Sequence, residues 1–215
     1  DDDDISFLSD AFTKVDALYI ADGHHRSAAA ARVSKARDGS GGSDGFIAVI
    51  FPDHQMRILA YNRVVKTLNG LSQDEFLCKL DKIFEFAGGR QPQAKNEVAL
   101  YLGGQWRCLR FKPDYAVGNT AEDSLDVALL QRHVLTPFLG IDDPRTSSCI
   151  DFVGGIRGSL ELEKRVDENG WACAFSMHPT SIGDLLAVAD GGGLMPPKST
   201  WFEPKLRDGL FCHNL

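Results

Sequence analysis

The sequence has no C-x-x-C pair, no two histidines at H-x-x-x-H spacing, no excess of basic residues and no apolar run of membrane-spanning length. Each shortage excludes a class of function. Lysines and arginines number 23 against 30 aspartates and glutamates, a net charge of −7, so the broad cationic footprint of a nucleic-acid binder is missing. Apolar stretches fall well short of the roughly 18–20 residues that a membrane-spanning helix needs, and Asp1–Asp4 is the reverse of a basic signal-peptide start. The expectation is a cytoplasmic protein with neither nucleic acid nor membrane as partner. The five cysteines, Cys78, Cys108, Cys149, Cys173 and Cys212, are odd in number and widely spread, which predicts free thiols rather than a disulfide framework or a cysteine zinc site. The histidine spacing predicts no helical metal site either.

What is present is ordinary globular material, 43% hydrophobic and 25% charged. Short strands and helices alternate along it. Ala17–Ala21 reads as a strand, and Ser27–Ala36 as an alanine-rich helix with Arg32, Lys35 and Arg37 placed to suit its C-terminal dipole. "GSGGSDG", residues 39–45, reads as a loop, Phe46–Phe51 as a buried strand, and Arg57–Val65 as its hairpin partner. Ser72-Gln73-Asp74-Glu75 is a capping box ahead of Phe76, Leu77 and Leu80. Glu97–Leu102 and Trp106–Phe111 flank Gly103-Gly104-Gln105, a predicted hairpin, and Leu125–Leu139 carries apolar residues at helical spacing. Strands at 150–153 and 171–177, helices at 159–166 and 181–189, and a strand or loop at Trp201-Phe202 complete the pattern. Tight strand pairs outnumber β-α-β units, so the predicted class is α+β, with a mixed, largely antiparallel sheet and flanking helices. A division into 1–112 and 113–215 is expected, with Pro113–Ser124 as a candidate seam or the two parts as one continuous domain.

The densest chemistry lies in "YIADGHHRSAAA". A strand entering a helix through Asp22-Gly23 points unpartnered backbone N–H groups at whatever sits before the helix. Gly23 allows close backbone approach or positive φ, the helix dipole attracts negative charge, and Arg26 offers a planar fork of donors. His24 and His25 add donors or proton carriers near neutral pH. Phosphate is the ligand this chemistry suggests. The plainer alternative is that Asp22 caps the helix and the other residues form its solvated first turn.

Asp22-Gly23-His24-His25-Arg26, followed by an alanine-rich helix, resembles the phosphate-binding motif of the ParB/sulfiredoxin-like superfamily, most closely the D-G-H-H-R motif of free-serine kinases. More widely, "LYIADGHHRSAA", "LAYNRVVKTLNGLS", "LDVALLQRHVL", "IDFVGG" and "MPPKSTWFEPKLRDGL" resemble the C-terminal half of the family called domain of unknown function 1015. The superfamily resemblance implies a phosphate-binding strand-turn-helix at the N-terminus, with phosphate contacts from Gly23, His25 and Arg26. It also implies that part of that fold, including an acidic general base, precedes the residues read here. Sulfiredoxin chemistry needs a cysteine where this chain has His24, and no helix-turn-helix reader of the centromere-binding ParB type is evident.

A second candidate is "GGGLMPPKST", residues 191–200. It resembles a Walker A loop superficially, but Pro197 replaces the glycine before the lysine and has no N–H to give. Lys198, Ser199 and Thr200, with Lys205, can still line a phosphate pocket, or be a proline-braced turn with surface lysines. Arg63 faces either a site or solvent; His133 and His178 read as structural, and Phe152–Gly158 as a tight turn.

Three functional classes follow. The first is a phosphotransferase acting on a small hydroxyl substrate such as free serine, using ATP or ADP, or CTP, with Mg²⁺. Asp22, His24 and His25 would be its catalytic residues, and Gly23, His25, Arg26, Ser27, Lys198, Ser199 and Thr200 its phosphate contacts. The second is a metal-dependent phosphoesterase, because Asp-Gly-His-His resembles an Asp-His-His metal motif with a glycine inserted. The third is a non-catalytic, nucleotide-gated regulator of the ParB type. All three predict a small phosphate-containing ligand, and none sets an oligomeric state.

Overall fold

A computed structural model describes residues 1–207 and 209–213. The chain divides into two compact units, Asp1–Phe51 with Leu206–Leu215, and Pro52–Lys205.

The first unit holds two helices. In α1 (Asp2–Phe12), the Asp1 side chain accepts the Asp4 N–H at 2.9 Å and Asp4 returns a bond to the Asp1 amine, a capping box that starts the helix on negative charge. In α2 (His24–Arg37), Lys35 and Arg37 sit in the last turn, where the dipole favours cations. Neither helix buries a residue. The expected strand Ala17–Ala21 and the expected buried strand Phe46–Phe51 form no ladder among the described residues, and Ile20, Phe46, Ile47, Val49 and Ile50 are exposed. The apolar runs are there, but neither has a neighbouring strand, and a strand exists only as part of a pair. The C-terminal segment joins this unit through the His213 ring, whose Nε2 meets the Gly42 carbonyl at 2.8 Å.

The second unit is built on an open, antiparallel seven-stranded sheet with flanking helices. Its elements are β1 (Arg57–Val65), α3 (Gln73–Asp81), β2 (Phe84–Ala87), β3 (Glu97–Leu102), β4 (Gln105–Phe111), α4 (Asp126–Leu130), α5 (Thr136–Leu139), β5 (Ile150–Gly154), α6 (Gly158–Asp167), β6 (Cys173–Met177), α7 (Ile182–Asp190) and β7 (Thr200–Glu203). The order is β2-β4-β3-β6-β1-β5, with β7 also paired to β1. The Gly103-Gly104 turn fixes the β3–β4 register, with Leu102 opposite Gln105, because both glycines hold the positive φ that a two-residue hairpin requires. Every residue of β3 is buried, as expected for a strand covered on both faces.

One face packs Val65, Leu100 and Phe175 under Phe76 and Leu80 of α3 and Leu129, Leu130 and Val134 of the long helical segment. The other gathers Val64, Tyr101, Val153 and Ala174 around Leu162 of α6. Tyr101 donates to Asp167 and Trp106 to Glu163, each at 2.7 Å, which pins α6 to this face. The predicted helix 125–139 forms, but its middle, Gln131–Leu135, is wound as a π-helix. Pro137 cannot donate the next backbone hydrogen bond, and Gln131 Nε2 instead donates to Thr136 Oγ1 at 3.0 Å and to the Ile141 carbonyl at 2.6 Å.

β1 changes partners along its length. Arg57–Ala60 pairs with β7, whereas Arg63–Val65 pairs with β5 and β6 together. Between these registers Asn62 is buried and its Oδ1 accepts the Met177 N–H at 3.0 Å, so the sheet forks without an orphaned amide.

Candidate functional site

Gly23 is the N-cap of α2, at φ 87° and ψ 24°. Helix formation begins with the Ser27 N–H donating to the Gly23 carbonyl at 2.9 Å. The capping alternative is not realised as Asp22 at the N-cap: Asp22 Oδ1 accepts the N–H of Gly23 itself at 2.7 Å, and the glycine cap has no side chain to offer the helix. Among the described residues, no acceptor meets the His24 and His25 amides.

The missing Cβ of Gly23 has a second consequence. A Cβ there would lie 3.2 Å from Arg26 Nη2 and 3.3 Å from Nε, so the guanidinium lies against the open side of the glycine. His24, His25 and Arg26 are exposed, and Ser27 is half-buried. The turn thus gathers backbone donors, a helix's positive end, a guanidinium, two imidazoles and one carboxylate on five consecutive residues. That combination has the chemistry to receive an oxyanion and to offer it proton-carrying groups.

The remaining phosphate candidates lie in the second unit. Lys198 is exposed, holds a left-handed backbone at φ 56°, and places its ammonium 5.2 Å from the centre of the Tyr61 ring. Ser199 is buried, with its hydroxyl donated to the Pro196 carbonyl at 2.5 Å and its own carbonyl accepting from Thr180 Oγ1 at 3.4 Å. Thr200 begins β7 opposite Ala60. Residues 191–200 therefore run into a strand, where a Walker A loop would run into a helix.

Sequence reasoning left Arg63 open between site and solvent. In the fold it is 4% exposed, because β5 and β6 pair with β1 on both sides of it. Burial pulls its pKa down to about 10. Its Nη1 donates to the Tyr61 carbonyl at 2.6 Å and Nη2 to the Lys198 carbonyl at 3.4 Å, with the guanidinium carbon 5.6 Å from the centre of the Phe152 ring. Gly154 is bare for a packing reason: a Cβ there would come 2.5 Å from Trp201 Cε3, so the indole lies directly over it. The Phe152–Gly158 glycines serve that approach and the turn that follows.

Sequence reasoning missed an acidic group entirely. Asp126, Asp184, Lys95 and His178 line a cavity of about 10 Å³, water-sized. Asp126 accepts the Asn96 N–H at 2.9 Å, yet burial pushes its carboxyl up to about 6. Burial also acts on Asp184, but the Lys95 ammonium at 2.5 Å and the Ser181 hydroxyl hold it below the usual carboxylate range. The only signal in sequence was that Asp126 opens an otherwise apolar helix. His133 is packed edge-on against Tyr115 at 5.2 Å, and burial lowers its pKa, as suits a structural histidine. Among the described residues no group of three or more His, Cys, Asp or Glu is placed to hold a metal ion, and no helix is long and apolar enough to cross a membrane.

No curated protein matches the chain. Among solved structures, free serine kinase in complex with AMP is similar at 13% identity over 85% of this chain and 66% of that one, with a TM-score of 0.46. A mutant of free serine kinase in complex with ADP aligns at 14% identity over the same shares, with a TM-score of 0.43. A conserved hypothetical protein from Pyrococcus furiosus aligns at 12% identity over 85% of this chain and 68% of that one, with a TM-score of 0.46. The chain spans 66% of the length of the free serine kinase chains it matches. The family described as "Protein of unknown function (DUF1015)" matches residues 1–128, and the chain belongs to it.

Proposed function

We propose that the chain binds a nucleotide through the Asp22–Ser27 turn and transfers a phosphoryl group to a small hydroxyl substrate such as free serine. One observation carries this reading: α2 starts at a glycine with no side-chain cap, and the Arg26 guanidinium lies against that glycine's open side. A phosphate there meets the helix dipole, two backbone amides and a planar donor fork together. Gly23, His25, Arg26 and Ser27 hold the phosphates. In the transfer, the acceptor oxygen bonds to the terminal phosphorus, the bridging P–O bond breaks to leave ADP when ATP is the donor, and His24 or His25 takes the acceptor proton.

Mg²⁺ on nucleotide phosphates keeps several waters and takes only one or two carboxylates. Asp22 is one carboxylate beside the turn and fits such a position; the ion would neutralise phosphate charge. Lys198, Ser199 and Thr200, in the second unit, line a separate phosphate pocket of their own, with Lys198 as its charge. Five free cysteines suit a reducing, cytoplasmic setting. The metal-dependent phosphoesterase has no donor cluster in its favour among the described residues, and the ParB-like regulator shares the turn but predicts binding without turnover.

AMP and ADP, the ligands named with free serine kinase, are the first probes, followed by ATP and CTP with Mg²⁺ and serine as acceptor. Calorimetry should detect saturable binding that falls at least about tenfold in Arg26→Ala. No heat with any of the four nucleotides, or equal binding by the variant, overturns the reading. Binding without serine-dependent turnover overturns the transferase and supports the regulator.

A further inference from the structure

We infer that the cavity beside the β3–β4 hairpin and α6 is a binding site for a free amino acid with an apolar side chain, its carboxylate on Arg90 and its ammonium on Glu163. Every residue in it belongs to the second unit, so it rests neither on the turn at Gly23 nor on the nucleotide reading.

The frame of the site follows from strand register and helical spacing. Tyr101 of β3 and Trp106 of β4 are directly opposed in the antiparallel ladder, so both rings stand on one face of the sheet, with centres 5.1 Å apart. Glu163 and Asp167 are one turn apart on α6, which puts both carboxylates on the same side of that helix. Trp106 Nε1 donates to Glu163 and the Tyr101 hydroxyl to Asp167. These two bonds fix the aromatic wall against the acidic one. Beside them, closed off in part by the segment that follows β2, is an open-sided cavity of about 400 Å³ lined by Arg90, Tyr101, Gln105, Trp106 and Glu163. Gly89 and Gly104 add wall without side chains. The volume falls within the roughly 300–1,000 Å³ typical of small-molecule sites, whereas the cavity at Asp126 holds about 10 Å³.

The charges on the walls select the ligand. One Glu163 oxygen takes the indole N–H, and among the described residues no cation pairs with that carboxylate. Arg90 is exposed and has neither a hydrogen bond nor an ion pair among the described residues. Both charges act on one point of the wall. The bond to Asp167, burial, and the Asp167 and Glu163 charges raise the Tyr101 hydroxyl to about 12, and Arg90 opposes them. A simple anion would meet Arg90 but also Glu163, with Asp167 behind it, and a simple cation would meet the guanidinium. A zwitterion gives each wall group its opposite charge. Gln105 adds a donor for the carboxylate end, since its Oε1 accepts from Arg107 at 3.0 Å and its amide N–H groups are left over. The half-buried Trp106 indole offers a face to an apolar side chain. A free amino acid carries these three parts on one small molecule.

The test is calorimetry of the full chain with L-phenylalanine and two relatives, L-phenylalaninamide, which lacks the carboxylate, and N-acetyl-L-phenylalanine, which lacks the ammonium. Saturable binding of L-phenylalanine is expected at a Kd of about 1 mM or below, and at least about tenfold weaker for each relative. Arg90→Gln and Glu163→Gln should each weaken L-phenylalanine at least about tenfold, and Arg26→Ala should leave it unchanged. Glu163→Gln keeps an acceptor for the Trp106 N–H; should it still loosen α6, Arg90→Gln, altered at an exposed position, carries the test. The proposal is overturned by no saturable binding, by equal binding of all three compounds, by binding undiminished in Arg90→Gln, or by binding lost in Arg26→Ala. L-phenylalanine bound with no nucleotide bound would overturn the transferase and uphold this site, and the reverse result would overturn this site alone.

Discussion

Arg26 and Arg63 carry the same charge in opposite settings. Arg26 is exposed on the first turn of a helix that buries nothing, in a unit whose large apolar side chains face outward. Arg63 is sunk in a strand paired on both sides, in a unit with a continuous core. An exposed cation is held by local geometry and can be changed with little effect on folding. A buried one is held by the whole sheet, and its charge bears directly on stability. The contrast can be broken at several points.

The largest effect is expected in the core of the second unit. Phe175→Ala should cost about 3–5 kcal/mol in urea unfolding, because Phe175 is fully buried between β1 and β3. Asp126 should come next. Its carboxyl rises from 3.8 to about 6 on folding, so the native state binds the proton more tightly than the unfolded chain. Its contribution is therefore fully present below pH 4 or so and is lost as pH rises through about 6, a change of about 3 kcal/mol. Asp126→Asn should flatten the stability profile across that window; an unchanged slope would mean that the carboxyl is solvated. Gly23→Ala should destabilise α2 by about 1 kcal/mol through its positive φ, and also weaken ADP binding by displacing the guanidinium. Smallest of all, Ile20→Ala should lie within about 0.5 kcal/mol of wild type, since Ile20 is exposed. A loss above about 1 kcal/mol there would show that the outward-facing residues of the first unit are covered in solution, and the contrast would fail.

Features set by neighbours in sequence were legible. The Ser72–Glu75 box caps α3 with the Ser72 N–H on Glu75 at 2.8 Å, and the Gly103-Gly104 hairpin forms as expected. The helix after Gly23 starts within the predicted turn. What failed depends on distant partners. Phe46–Phe51 has a strand's composition, but composition states what a segment would bury and not whether anything is there to bury it. Asp1–Asp4 stands out in sequence only as an acidic run, yet these acids open a helix that carries Ile5, Leu8 and Phe12. β2 is only four residues long, and it lies between a helix and a glycine pair, too brief for alternation to register. Arg63 was undecidable because an arginine in an alternating strand reads alike facing in or out, and the choice was made by β5 and β6, some ninety and more residues away.

The wide turn at Gln131–Leu135 has a consequence for how this chain tolerates change in length. A π-turn fits one residue more than an α-turn into the same span, so deleting a single residue there would close it into a regular helix with Phe138 and Leu139 still facing the hydrophobic cluster. The same deletion within a regular α-helical stretch would instead rotate everything beyond it by about 100°. The segment works as slack: its extra residue carries no chemistry of its own, and it is the place in this helix where the chain can be shortened without turning the last helical turn away from the sheet.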